Sequence, residues 1–300
     1  MMTIKTKMFL IMNKREYALE KKLMDEGGEL HTRFVDTVFA LQRILSNYKL
    51  IFPEFTDHTE LHTLSIIDFC NQLIGDQIDK LNIDEIYCIL MGCYFHDTGM
   101  GVSQVDFDEF SEKINFKDYF LTHDKNNKPE IIRNFHNEYS ALFLDKYTRF
   151  FEIPSPEHLF AIKEISRGHR KTDLFNEKEY PIELKLSNGN TICLPYLTAL
   201  VRLADEIDVT AARNSHAIYD LSKITHEIDL IEFMKHEAVK DLVIEKDKFI
   251  MKVSPDNDEM MESLMVIAHK MQKTLDLCRN AVNGRTPFTI TQEKVEVEKI

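Results

Sequence analysis

Apolar residues recur at intervals of three and four through most of the chain, the spacing of a helix with one buried face. Residues 14–48 read as two helices, the second with Phe34, Val38, Leu41 and Ile44 or Leu45 on one side. A third is expected over about 57–75. There Asp57, followed three residues later by Glu60, has the form of a capping box, with Leu61, Leu64, Ile67 and Leu73 behind it. The stretch "NIDEIYCILMGCYFHD" is apolar almost throughout and so reads as a central helix, closing at Gly99 and Gly101. Helical spacing returns in "IIRNFHNEYSALFLDKY", in "PEHLFAIKEISRGH" with Ser155 as N-cap and Pro156 at the first helical position, and in "YLTALVRLADEIDVTAARN".

Between these helices the pattern changes twice. Residues 102–129 are polar but carry Phe107, Phe110, Phe116, Tyr119 and Phe120, which suggests an ordered insert whose aromatics pack. "IELKLSNGNTICL" alternates apolar and polar positions around Asn188-Gly189, a β-hairpin signal. Beyond about residue 225, "LVIEKDKFIMKV" reads as two strands, a helix covers roughly 257–283, and "FTITQEKVEVEKI" alternates like an edge or closing strand. The expected fold is mainly α: a helical domain over 1–224 with its core at about 50–215, and a β-β-α-β appendage over 225–300.

Composition narrows this picture only a little. The 300 residues are 44% hydrophobic and 29% charged, ordinary for a globular chain, and only 8 Pro and 9 Gly favour long helices over a turn-rich β fold. No apolar run reaches the length of a membrane span, and "MFLIM" is too short for the core of a signal peptide. Cys70, Cys88, Cys93, Cys193 and Cys278 form no paired CxxC spacing, and read as free core thiols of a cytoplasmic protein. A net charge of −13 argues against coating nucleic acid through bulk electrostatics, but leaves room for a small phosphate-bearing substrate.

The chemistry lies in "CYFHDTGMG", residues 93–101. Where a helix gives way to glycine, the histidine leaves the last turn while the aspartate bends with the chain, so both can reach one point. The aspartate can also give one oxygen to each of two cations. Other candidate ligands each sit in a different expected helix: His62, His136, His169 and Asp205. The steps are 34 residues from His62 to His96, 39 from Asp97 to His136, 33 on to His169 and 36 on to Asp205. Each is about one helix-loop-helix excursion, as in a bundle whose successive helices deliver one ligand inward. Asp208 is the alternative to Asp205, and His58 could share the face of His62. Such imidazole and carboxylate donors suit Mn, Fe, Co, Ni or Zn, with Mg admitted, better than Ca. His31, His123, His158, His216, His226, His236 and His269 show no partner pattern and read as ordinary.

The order H…HD…H…H…D resembles the HD-domain metal-dependent phosphohydrolase superfamily, in particular its two-metal members, among them cyclic-dinucleotide phosphodiesterases and the HD nuclease of type I CRISPR interference. The likeness covers about residues 50–215. "FTDHTELH" resembles the "YTDHGxxHS" start of one branch, and "LVRLADEIDVTAARN" its "RLADxLD" end. That branch consists of HD domains found alone or fused to ATPase modules, often in bacterial conflict and antiviral defence systems. The resemblance implies two divalent transition metals. His62, His96, Asp97 and Asp205 would hold the first, and Asp97, His136 and His169 the second. Asp97 would bridge, with a hydroxide between the metals and His96 and Asp97 as the catalytic pair.

Asp57, His58 and Glu138 are candidates to orient the imidazoles. Arg167, Arg170, Lys171, Arg202 and Arg213 are candidates to contact substrate phosphate. Met100 stands where the HD-GYP branch has lysine, which counts against that branch.

The leading expectation is a metal-dependent phosphodiesterase or nuclease acting on a nucleotide or single-stranded nucleic acid, partnered by further copies of itself or by an ATPase or defence protein. Two alternatives stand beside it. One is an effector or scaffold module that keeps the metal site for stability. The other is a mononuclear deoxynucleoside triphosphatase using His62, His96, Asp97 and Asp205 alone.

Overall fold

A computed structural model describes residues 17–45, 60–116, 118–210 and 235–300. The protein is mainly α, with small β parts. Helices α1 (Ala18–Glu26) and α2 (Glu29–Leu45) open the described chain. They are followed by α3 (Glu60–Ile74) and α4 (Ile83–Phe95). The capping box proposed at Asp57 falls outside the described residues, whereas an equivalent one begins α4. There Asn82 accepts from the Asp84 and Glu85 amides, and Glu85 accepts from the Asn82 amide. Every residue of α4 after Ile83 is buried, as its unbroken apolar run demands, and α1, α2, α3 and α7 (Pro156–Gly168) all pack on it. Gly92 lets α7 approach: a Cβ there would run into the Ile165 side chain.

The insert is ordered. It contains α5 (Gln104–Ser111) and a short 3-10 turn at Tyr119–Leu121, and its aromatics dock on α6 (Lys128–Tyr147). Phe107 stacks on Tyr139 at 5.6 Å, and Phe116 and Tyr119 meet Phe135 edge-on at 4.9 and 5.0 Å. Ser155 caps α7, accepting from the His158 amide, with Pro156 in the first turn. The hairpin is present but short: β1 (Leu184–Lys185) pairs antiparallel with β2 (Thr191–Ile192), with Gly189 at positive φ.

Helix α8 (Leu194–Ile207) ends the ligand-bearing series. The C-terminal part runs β3 (Val239–Ile244), β4 (Lys248–Val253), α9 (Asp258–Val282) and β5 (Lys294–Lys299). Strand β4 is central, antiparallel to β3 and parallel to β5. A hairpin suffices for the first pairing, but the second needs a crossover, which α9 supplies while packing on α8. The "FTIT" half of the last alternating segment is not strand.

One buried group makes the core sensitive to pH. Glu20 on α1 faces inward, and its Oε1 has no hydrogen-bond partner among the described residues. Burial pushes its carboxyl from 4.5 up to about 7. The unfolded chain gives up this proton at lower pH than the folded one. The group's contribution is therefore intact below about 4.5 and is lost as pH rises to about 7. Glu20→Gln is expected to be more stable than wild type by up to about 3 kcal/mol at pH 8, with the difference vanishing near pH 4. Parallel urea melts from pH 4 to 8 check this; a difference that does not change with pH contradicts it.

Candidate metal centre

Three helices start together and finish together. At one end Asp84 on α4 accepts from His158 Nε2 on α7 at 2.8 Å, and the amide of Cys193, the N-cap of α8, donates to Glu85 on α4 at 3.0 Å. At the other end lie His96, His169 and Asp205: the C-cap of α4, the C-cap of α7 and the last turn of α8. The negative ends of three helix dipoles thus converge on one place, which favours positive charge there. His62 comes from the first turn of α3 and His136 from the first half of α6.

The helix ends also orient the rings. The last four carbonyls of a helix lack intrahelical partners. His96 turns its Nδ1 back to the Cys93 carbonyl at 2.6 Å, and His169 does the same to Ser166 at 2.6 Å. His136 repeats the pattern with the Arg133 carbonyl at 2.9 Å. His62 differs: its Nδ1 meets Asp208 Oδ2 at 2.6 Å, and the other oxygen of Asp208 accepts from Ser65 Oγ at 2.9 Å. With every Nδ1–H committed outward, all four rings present Nε2 lone pairs inward.

Those nitrogens meet in two pairs. His62 and His96 Nε2 lie 3.2 Å apart, and His136 and His169 Nε2 2.9 Å apart. Asp97 stands between the pairs. Its Oδ2 is 3.1 Å from His96 and 3.5 Å from His62, while its Oδ1 is 3.3 Å from His136 and 3.9 Å from His169. Asp205 Oδ1 lies 3.3 Å from His62 Nε2. Asp208, the alternative to Asp205, sits behind the ring instead. Two acceptor lone pairs so close repel unless a proton or a cation lies between them, and all of these donors are buried except Asp205, whose side chain is 22% exposed. The groups His62-His96-Asp97 and Asp97-His136-His169 each fit a metal ion, and nitrogen with carboxylate donors suits a first-row cation.

Without a cation, protons carry the compensation. Burial works against charge on His96, but Asp97 beside it outweighs this and raises the ring to about 9. Burial, and then the positive charge of His96, lowers His169 to about 4. Burial and the guanidinium of Arg170 hold His136 well below its usual range. One face of the cluster therefore keeps a proton while the other stays neutral.

The turn after the helix lets two adjacent residues serve one site. His96 still has helical angles, whereas Asp97 leaves them, at φ −106° and ψ 6°. The following 3-10 turn, Thr98–Gly101, presses on the backbone of α6. Gly99 N–H donates to Ser140 Oγ at 2.8 Å, and that hydroxyl donates to the His96 carbonyl at 2.7 Å. A Cβ on Gly99 would overlap the His136 carbonyl and the Ser140 amide. Glycine here sets the distance between Asp97 and His136.

The other sequence candidates fall in several places. Arg167 is held by Glu138 at 3.1 Å, Glu164 at 2.6 Å and Glu179 at 3.3 Å, which accounts for Glu138 as well. Arg202 is buried and donates to the Gly168 carbonyl at 2.7 Å and to the Thr172 hydroxyl and carbonyl at 2.7 and 3.0 Å, bracing the segment that carries His169. Arg170 donates to the Arg133 carbonyl at 2.8 Å and lies 3.2 Å from His136 Nδ1. Lys171, at φ 51°, reaches toward the Asn134 carbonyl at 3.5 Å. Asp57, His58 and Arg213 lie outside the described residues.

Two residues have roles other than those read from the sequence, where His158 counts as ordinary and Asp208 as the alternative to Asp205. His158 is buried between Asp84 and Ser155, whose Oγ is 2.9 Å from Nδ1, and it ties the starts of α4 and α7. Asp208 fixes His62. Its one signal is its place three residues after Asp205, just past the helix end.

A helical bundle whose H…HD…H…H…D residues meet around one shared aspartate is an HD-type domain, and such a donor set points to a metal-dependent, hydrolase-like protein. The model of the HD-CE family matches residues 52–286, and the chain belongs to that family. The matched stretch runs from the bundle through α9. No curated protein and no solved structure matches the chain. Among the described residues, no helix is long and apolar enough to cross a membrane.

Proposed function

We propose that this protein is a metal-dependent phosphohydrolase cleaving a phosphoester of a nucleotide or of single-stranded nucleic acid. In this reading His62, His96, Asp97 and Asp205 hold one divalent cation, and Asp97, His136 and His169 hold a second. The supporting observation is Asp97, whose two oxygens face two separate pairs of Nε2 atoms. Paired cations, when bound, offset charge on an attacked phosphoryl group and acidify a water.

The chain's own contribution is placement. Backbone carbonyls and Asp208 fix the ring orientations, helix ends supply negative potential, and Gly99 sets the separation of the two halves. Arg170 lies beside the cluster with no carboxylate partner among the described residues, and it offers donors to a phosphate oxygen. The net charge of −13 favours a small or single-stranded substrate over extended duplex.

The experiment is hydrolysis of bis(p-nitrophenyl) phosphate, cyclic dinucleotides, deoxynucleoside triphosphates and single-stranded DNA and RNA by protein supplied with Mn or Co. Cation-dependent turnover that chelator abolishes is the expected result. A folded, cation-loaded protein inert toward the whole panel contradicts the reading and leaves the effector or scaffold role.

A further inference from the structure

The two halves of the cluster are not electrically alike. On the His62 side, three carboxylates act: Asp97 through Oδ2, Asp205 through Oδ1, and Asp208 from behind the ring at 2.6 Å. A carboxylate accepting from Nδ1–H makes the opposite nitrogen a stronger donor than a backbone carbonyl does, and it adds a full negative charge close by. The oxygens of Asp208 are both engaged, by His62 and Ser65, and the residue is buried, so its position is firmly set.

On the His136 side, among the described residues, the one carboxylate in contact is the shared Asp97, at 3.3 Å from His136 and 3.9 Å from His169, while Asp205 acts on His169 only from further away. Both rings there lean on backbone carbonyls. Behind His136, where the first half has Asp208, stands the Arg170 guanidinium, 3.2 Å from Nδ1. It shares the Arg133 carbonyl with the ring, which weakens that carbonyl's pull on Nδ1–H, and it brings positive charge toward the place a cation would occupy.

Resting on the two-cation reading above, we infer that the subsites differ in affinity by at least about tenfold. The His62 side is the tight, resident subsite and the His136 side the weak, exchangeable one, with Asp208 and Arg170 as the positioning residues that create the difference. A cation entering the weak half meets a site short of negative charge by design of its surroundings, which an anionic ligand would make good.

The test is a titration of metal-free full-length protein with Mn2+, following free Mn2+ by electron paramagnetic resonance. Wild type is expected to show two classes of site with dissociation constants at least about tenfold apart. Asp208→Asn should weaken the tighter class roughly 10–100-fold and leave the weaker one in place. Ser65→Ala, which frees the far oxygen of Asp208, should do the same in smaller measure, so the inference does not depend on one variant folding. Arg170→Gln should tighten the weaker class several-fold without moving the tighter. Two Mn2+ bound with equal affinity, or variants that shift both classes together, overturn the inference and leave the two-cation reading standing. One Mn2+ per chain at saturation, or none, contradicts that reading and the inference with it.

Discussion

His96→Ala combined with Asp97→Ala is expected to reduce Mn-dependent hydrolysis of bis(p-nitrophenyl) phosphate to the uncatalysed background. The pair takes away one imidazole from the first half of the cluster and the shared carboxylate from both. Neither cation then keeps a complete donor set, and the negative charge that would screen the two from each other is gone. The fold should survive. His96 and Asp97 lie at the end of α4, after its core residues, and the losses include the bond from His96 Nδ1 to the Cys93 carbonyl as well as the contacts of Asp97 with the four rings. An orphaned carbonyl of that kind costs about 1–3 kcal/mol. Removing buried charge from the metal-free protein offsets part of it. Turnover would be read beside circular dichroism. A folded double variant with wild-type turnover would end the assignment of chemistry to this cluster.

Gly99→Ala should destabilise the protein by about 1–3 kcal/mol or more, since the added methyl meets backbone, which cannot rotate away as a side chain can. Relief requires the Thr98–Gly101 turn to lift off α6, which stretches the Gly99–Ser140–His96 hydrogen bonds and draws His136 away from Asp97. The stability loss should therefore come with weakened cation binding at the His136 half. Urea midpoints with and without Mn2+ measure both effects. Unchanged stability would show that the turn and α6 are not in the contact described.

Much of this was legible in the chain. The helices announce themselves through periodicity and caps such as Ser155-Pro156, and of the six residues that meet, all but His136 sit at or near a helix end, where sequence signals are strongest. The His-Asp pair before glycine is a local arrangement with a local cause. What was hidden depends on contacts between distant segments. Asp208 meets His62 across 146 positions and His158 meets Asp84 across 74, and no spacing rule connects them.

The basic stretch Arg167–Lys171 shows the same limit. Its charges suggest a phosphate-facing cluster, yet Arg167 is held by three carboxylates, one of them 29 residues away on α6. The alternating "FTITQEKVEVEKI" pattern marks strand only where β4 offers a free edge to pair with, at Lys294–Lys299.

In the proposed mechanism Asp97 stands between two cations. The anomalous difference map of crystals grown with Mn2+, recorded at the Mn absorption edge, tests it most directly. Two peaks flanking the Asp97 carboxylate are expected, one facing His62 and His96 and the other facing His136 and His169. No peak at Asp97, with manganese bound elsewhere or not at all, would contradict it.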